Sequence, residues 1–326
     1  MRIIKASDLF FFCLVLLLGA GIAVWLRIWN PDTLLHQALP LYQLATRTIT
    51  PITDATAPNA SPRAYHAITL ANADGGSVNF TVSLPGGLGG PGGGGKLAAG
   101  DRLPTLVVLT GLRAGRRNLD HIPNHGRNAI VAYDYPFDPE VWKSASAVER
   151  AWIANRVAHQ LPDEVAGLIA WVRQQSWADP DRVSLVGVSL GAVALPVIQR
   201  RATNAGHRVA ATVIAYGGAN LHALARANLK DNWIREPLAL LTALLLRPLA
   251  PVHHLPHLNG PFLLIHGADD DRIPQDSVDD LTAMTPEPKT IIVRPGAHID
   301  NDRPKLIRDT IDTARDWLTK QRLLEP

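Results

Sequence analysis

Residues 183 to 192 read Val183-Ser184-Leu185-Val186-Gly187-Val188-Ser189-Leu190-Gly191-Ala192, an apolar run followed by a serine between two glycines. Glycine stands two positions before and two positions after the serine because the backbone reverses so sharply there that larger side chains would collide. Such a turn holds the serine hydroxyl at the carboxyl end of a strand, where the next helix starts. The pattern therefore predicts a nucleophilic Ser189 on a strand–turn–helix unit.

Buried strands and amphipathic helices alternate on both sides of this turn. A hairpin is predicted first, at 64–71 and 77–84, and continuous apolar runs then predict strands at 104–109, 128–134, 183–186, 209–216, 261–266 and 290–293. Helical patterns fall between them at 148–158, 162–175, 190–202, 275–284 and 303–318. Continuous apolar strands bounded by amphipathic helices are typical of a mostly parallel sheet covered on both faces. The predicted fold class is α/β.

A serine nucleophile needs a base that accepts its proton and an acid that orients the base. The strand at 261–265 leads into three consecutive aspartates, Asp269 to Asp271, and the last strand leads into His298. Each candidate lies just past the carboxyl end of a strand, which is where an open α/β sheet places its ligands. The chain order is serine, acid and then base, which is the order in hydrolases that carry this serine turn.

These residues make the chain similar to the α/β-hydrolase superfamily, of the esterase, dienelactone-hydrolase and serine-aminopeptidase kind, from about Ala64 onward. The acid-loop pattern of that family, H-G-x-x-D-x-x-V/I-P, matches His266, Gly267, Asp270, Ile273 and Pro274. The resemblance thus selects Asp270 as the acid over its two neighbours and His298 as the base. It also implies a mostly parallel sheet of the eight-stranded type, and a reaction that needs neither a metal nor an organic cofactor.

An oxyanion hole is the remaining requirement, because the tetrahedral intermediate carries negative charge on the former carbonyl oxygen. The backbone N–H of Leu190, directly after the nucleophile, is one predicted donor. The resemblance implies that the second donor is Leu112, in a turn that usually reads His-Gly-x. Here the turn reads Thr110-Gly111-Leu112, so the backbone donor is kept while the histidine is replaced.

A longer insertion, at about 219–258, separates two of the predicted strands. It contains helical stretches at 221–233 and 237–246, the second almost wholly apolar. The resemblance implies a cap over the active site, and with Trp233 nearby such a cap would favour an apolar acyl or aromatic group. An ordinary helix packed on the core is the equal alternative.

The first 26 residues predict a membrane anchor. Residues 9–26 form an uncharged run of eighteen residues, about 27 Å long as a helix and close to the roughly 30 Å hydrocarbon core. Arg2 and Lys5 precede this run, which favours an exported body at the periplasmic side of a bacterial inner membrane. Secretion after signal cleavage is the alternative. The expected organisation is an anchor or signal at 1–30, a juxtamembrane segment and linker at 31–62, and a catalytic domain at 63–326.

Other partners and sites are not indicated. The formal net charge is only +3 and no Lys/Arg run is present, so no nucleic-acid binding is expected. The histidines at 121 and 125, and those at 253, 254 and 257, stand without the cysteines or acids of a metal site. The sequence therefore predicts a serine hydrolase, foremost a carboxylic ester hydrolase acting on a small ester or acyl substrate. A peptidase or acyltransferase of the same fold, and a catalytically silent membrane-tethered binding protein, are the alternatives.

Overall fold

The computed structural model describes residues 19, 21, 44–52, 63–71, 76–86, 102–111, 119, 120, 122 and 126–326. The chain divides into two compact units, Met1–Leu39 and Pro40–Pro326, and the description below concerns the second. Within the described ranges, no helix combines the length and apolar character that crossing a membrane requires. The predicted anchor at 9–26 lies outside the described residues except for two glycines, as does most of the predicted juxtamembrane segment and linker.

A nine-stranded sheet forms the centre of the second unit, with the order β1-β2-β3-β5-β4-β6-β7-β8-β9. The pairs β1–β2, β2–β3 and β3–β5 are antiparallel, and the other five pairs are parallel. The mostly parallel α/β class is thus confirmed. The strands are β1 Ala45–Ile52, β2 Arg63–Ala71, β3 Ser77–Pro85, β4 Leu103–Leu109, β5 Ala129–Tyr133, β6 Ala178–Val188, β7 Thr212–Ala215, β8 Phe262–Gly267 and β9 Lys289–Arg294.

Seven α-helices occur in the described part of the chain, together with three short 3₁₀ turns at 247–249, 251–253 and 255–257. Along the chain, the helices connect the parallel strands or follow the last of them. They are α1 Pro139–Ser144, α2 Ala147–Gln174, α3 Leu190–Asn204, α4 Leu221–Asn228, α5 Arg235–Leu245, α6 Gln275–Met284 and α7 Pro304–Lys320.

The central strands are buried on both faces, which explains their continuous apolar sequences. Every residue of β4, β5 and β7 is buried. Alternate residues of β4 belong to different apolar clusters: Val107 packs with α2 and α3, whereas Val108 packs with α7. Side chains of a strand alternate between its faces, so the two clusters form the core on opposite sides of the sheet.

Strand β1 shows that the sheet begins earlier than the predicted domain start at residue 63. Residues 45–52 pair antiparallel with β2, and the indole N–H of Trp171 donates to the hydroxyl of Thr46 at 3.1 Å. Leu44 and Ile49 pack against the core. This segment is therefore an edge strand of the sheet, and it accounts for the ninth strand.

Helix α2 is continuous, although two helices at 148–158 and 162–175 were predicted. The proline that suggested the break, Pro162, lies inside the helix. A proline removes one helical hydrogen bond and costs about 3 kcal/mol in a helix interior. Its neighbours Ala158, Leu161 and Val165 are fully buried against the sheet, and this burial on both sides of the proline offsets its cost.

Candidate active site

Ser189 occupies the sharp turn between β6 and α3, as its flanking glycines predicted. Its backbone has φ 56° and ψ −119°, a left-handed conformation that is strained for a residue with a side chain. A Cβ on Gly187 would lie 2.7 Å from a side-chain carbon of Leu195, and one on Gly191 would lie 2.6 Å from the carbonyl carbon of Leu109. Both glycines are required because helix and strand backbones approach too closely for any larger residue.

Three side chains from separate loops meet at this turn in one hydrogen-bonded chain. The Oγ of Ser189 lies 2.9 Å from the Nε2 of His298, and the Nδ1 of His298 lies 2.8 Å from the Oδ2 of Asp270. The side chains of His298 and Asp270 are each only 3% exposed. In the tautomer with hydrogen on Nδ1, this imidazole donates to the carboxylate and leaves Nε2 to accept the serine proton.

The carboxylate of Asp270 is held by its own loop. Its Oδ1 accepts hydrogen bonds from the backbone N–H groups of Arg272 and Ile273, at 2.9 and 3.0 Å. These donors fix the plane in which the carboxylate meets the imidazole. The neighbouring Asp269 instead accepts from the N–H of Gly296. The structure thus brings Asp270 to His298, the one of the three consecutive aspartates that the family pattern selected.

The imidazole is also held from its other sides. The ring of Tyr216, directly after β7, packs edge-on against His298 with the ring centroids 5.8 Å apart. Arg303 donates to the backbone carbonyl of His298. Sequence reasoning did not single out Tyr216, although its position at the carboxyl end of a buried strand was a usable signal.

His266 is buried at the end of β8, where burial lowers its pKa and keeps the ring neutral.

The predicted oxyanion donors are described in part. Leu190 is the first residue of α3, so its N–H belongs to the positive end of the helix dipole. Thr110 and Gly111 follow β4 directly, while Leu112 lies outside the described residues. Both donor assignments stay predictions.

A cavity of about 1180 Å³ opens beside Ser189. Its wall on the α2 side is apolar and aromatic, and residues of the insertion at 219–258 complete the lining. This position of the insertion favours the interpretation as a cap over the site, and not as an ordinary helix packed on the core. Trp233 takes no part, because it is 91% exposed. The apolar and aromatic lining includes Tyr135, Phe137, Trp142, Val157, Leu161, Leu190, Leu246 and Leu249.

Metal ligands are not gathered in the described part of the chain, where no group of three or more His, Cys, Asp or Glu side chains could hold an ion. His254 is buried, and its Nε2 lies 2.9 Å from the carbonyl oxygen of Pro248, which is a structural role. His121 and His125 lie outside the described residues.

The sequence of the chain resembles a known family and an uncharacterized relative. Residues 147–291 match the model of the Prolyl oligopeptidase family, a segment that contains Ser189 and Asp270 and ends before His298. The chain is also 30% identical over 158 residues to an uncharacterized protein of Mycobacterium tuberculosis, from strains CDC 1551 / Oshkosh and H37Rv. This match covers 47% of the chain, and it spans half the length of the curated relative.

Solved structures resemble the chain over most of its length. Acetyl xylan esterase 1 from Thermoanaerobacterium sp. JW/SL YS485 has a TM-score of 0.59 at 14% identity, covering 87% of this chain and 93% of that chain. The acetyl xylan esterase from Paenibacillus sp. R4 has a TM-score of 0.58 at 15% identity, covering 87% and 92%. At such identities the likeness shows a shared fold alone.

Proposed function

We propose that the chain is a serine hydrolase of the α/β-hydrolase superfamily that cleaves carboxylic esters through an acyl-enzyme on Ser189. The observation that carries the proposal is the hydrogen-bonded chain from Ser189 through His298 to Asp270. The family match and the fold shared with esterases support a hydrolase of the esterase or peptidase type.

Acylation follows from the geometry of these three side chains. The Oγ of Ser189 attacks the ester carbonyl carbon while the Nε2 of His298 takes the hydroxyl proton. Asp270 stabilises the imidazolium that forms, and the N–H groups of Leu190 and Leu112 stabilise the oxyanion. The imidazolium then protonates the leaving alcohol, the carbon–oxygen bond breaks, and the acyl group stays on the serine.

Deacylation reverses these roles with water as the nucleophile. His298 takes a proton from water, and the hydroxide attacks the acyl-enzyme carbonyl. The oxyanion uses the same backbone donors, and the imidazolium returns a proton to Ser189 as the acid product leaves. The two steps together consume only the ester and one water molecule.

The apolar cavity supports an ester with an apolar acyl or aromatic group. Phe137, Trp142 and Leu246 are among the side chains that line it, and contact with them removes apolar substrate surface from water. Apolar side chains around the nucleophile also strengthen the electrostatic stabilisation of the oxyanion, because water competes less for the donors.

A serine peptidase is the second candidate, because the matched segment belongs to the Prolyl oligopeptidase family. It would use the same three side chains and differ in the leaving group, an amine instead of an alcohol. Access to the cavity beneath the cap would then decide which substrates enter.

Hydrolysis of two matched substrate sets tests the proposal. Purified protein and its Ser189→Ala variant are assayed on p-nitrophenyl esters of graded acyl length and on aminoacyl anilides. The proposal expects Ser189-dependent cleavage that favours esters with longer acyl groups. Cleavage of anilides alone would establish the peptidase, and acyl transfer to an added alcohol without hydrolysis would establish an acyltransferase. Inertness of folded protein toward every substrate would favour the silent binding protein.

We propose in addition that residues 9–26 anchor the protein and that its catalytic domain lies on the exported side of a bacterial inner membrane. The support is the uncharged length of that run and the basic residues Arg2 and Lys5 ahead of it. A fusion of residues 1–40 to alkaline phosphatase should be active and membrane-bound. Activity in the soluble periplasmic fraction would favour secretion after cleavage, and an inactive fusion would contradict export.

A further inference from the structure

Tyr135 lies where two neighbouring strand ends meet beside the nucleophile. It follows β5 by two residues, and β5 pairs in parallel with β4, with Ala132 beside Val108. The carboxyl ends of parallel neighbours reach the same edge of a sheet. Tyr135 is therefore level with the turn that follows β4, which contains Thr110 and the predicted oxyanion donor one peptide further on.

A single buried hydrogen bond joins Tyr135 to this turn. Its hydroxyl donates to the backbone carbonyl oxygen of Thr110 at 2.7 Å, and the residue is only 8% exposed. Because the peptide unit is planar, a fixed Thr110 carbonyl also fixes the direction of the N–H of Gly111. Burial raises the pKa of the Tyr135 hydroxyl, so it remains a donor throughout the pH range of the reaction.

The ring of Tyr135 faces the substrate side. It lines the cavity beside Ser189, and it packs on Phe137, which lines the same cavity, with ring centroids 5.9 Å apart. Tyr133 packs edge-on against Tyr135 with ring centroids 5.7 Å apart, but its hydroxyl donates to Glu164. Tyr135 alone among these three rings connects the cavity wall to the turn after β4.

We propose that Tyr135 is a positioning residue that orients the oxyanion turn through Thr110 while its ring and that of Phe137 form the wall for the acyl group. The inference rests on the proposed function, because it assigns separate tasks within that reaction. Orientation of the turn acts on the transition state and hence on kcat, whereas the wall acts on substrate binding and hence on KM.

Two substitutions separate the tasks. Tyr135→Phe keeps the ring and removes the hydroxyl, so kcat should fall about tenfold for every ester while KM stays unchanged. The inhibition constant of an alkyl boronic acid, which forms a tetrahedral adduct on serine, should rise by the same factor. Phe137→Leu should instead raise KM for long acyl esters several-fold.

Tyr133→Phe is the matched control for a purely structural effect. It removes a buried hydroxyl two residues away, and Glu164 loses the hydrogen bond that this hydroxyl donates. The melting temperature should therefore fall at least as far as in Tyr135→Phe. Its kcat and boronate inhibition should stay at the wild-type values.

The outcomes are distinguishable. A wild type that hydrolyses esters, with Tyr135→Phe within twofold of it in kcat and boronate affinity, would overturn the inference and leave the proposed function standing. A fall in kcat that appears equally in Tyr133→Phe would also overturn it, because loss of stability would then explain both. A wild type inert toward esters and boronates would overturn the proposed function itself.

Discussion

Both carboxylate oxygens of Asp270 lie within hydrogen-bond distance of the Nδ1 of His298, Oδ2 at 2.8 Å and Oδ1 at 3.1 Å. Oδ1 also accepts two backbone N–H groups of its own loop, so the carboxylate meets the imidazole in a fixed direction. This arrangement holds the imidazole in the tautomer that accepts a proton from Ser189. The orientation depends on a carboxylate that accepts at both oxygens, and an amide cannot supply it.

Asp270→Asn should therefore lower kcat by about 10⁴-fold with little change in folding, which is the size of effect that loss of the correct tautomer has in other triads. The measurement is ester hydrolysis together with thermal unfolding. Asp269→Asn, one residue earlier, is the control and should keep at least half of the wild-type kcat. Equal losses in both variants would mean that this account has assigned the acid to the wrong residue.

A second carboxyl group, Glu164, is buried away from the reaction. Burial raises its pKa, and the hydroxyl of Tyr133 donates to it. Since the folded state disfavours the charged form, the stability that Glu164 contributes is fully present below pH 4.5, the ordinary pKa of a glutamate. That contribution is lost as the pH rises through the raised pKa.

Glu164→Gln removes this titration and keeps an oxygen that accepts from Tyr133. The free energy of unfolding of the variant should rise relative to that of the wild type as the pH increases from 4 to 8. Urea unfolding at several pH values measures the difference. A gap between the two proteins that is independent of pH would contradict the buried, raised pKa.

At the scale of elements, the contact between α3 and β4 positions the nucleophile. Gly191 approaches the carbonyl of Leu109 so closely that a methyl group has no room. The glycine pattern predicted the sharp turn at Ser189, but not that the partner requiring glycine at 191 is the backbone of β4. Sequence could not show that α2 continues through Pro162, since the burial that offsets the proline comes from distant parts of the chain.

Gly191→Ala should cost roughly 3 kcal/mol or more of stability, because overpacking a rigid backbone contact forces the helix away from the strand. Gly206 provides the comparison. Its φ is +81° but no atom lies within 4 Å of a Cβ built there, so Gly206→Ala should cost only about 1 kcal/mol. Chemical denaturation measures both, and equal losses would show that the Gly191 contact is not what requires glycine.

At the scale of the whole molecule, the parallel strands could be predicted, whereas their order and the sheet edge could not. The central strands can be recognised in the sequence as continuous apolar runs because they are buried on both faces. Strand β1 is an edge strand of alternating, largely polar residues beside a polar segment, so its sequence resembles a linker. For the site, Ser189, Asp270 and His298 follow local patterns, but Tyr216 and Tyr135 depend on which strand ends adjoin.

A chain that starts at residue 53 should consequently be less stable than one that starts at residue 40. The shorter chain loses β1 and the packing of Leu44 and Ile49, which together stabilise by roughly 2–3 kcal/mol, and it exposes the edge of β2. Thermal unfolding and light scattering compare the two chains. Equal melting temperatures and equal solubility would contradict the assignment of β1 to the catalytic domain.

Covalent labelling of Ser189 tests the central claim most directly. A fluorophosphonate reacts with a serine that a neighbouring base has activated, and the adduct is located by mass spectrometry of proteolytic peptides. We expect one adduct, on Ser189, that is absent in Ser189→Ala and persists in Ser184→Ala, the same substitution earlier on β6. An unlabelled folded wild type, or labelling that survives in Ser189→Ala, would contradict it.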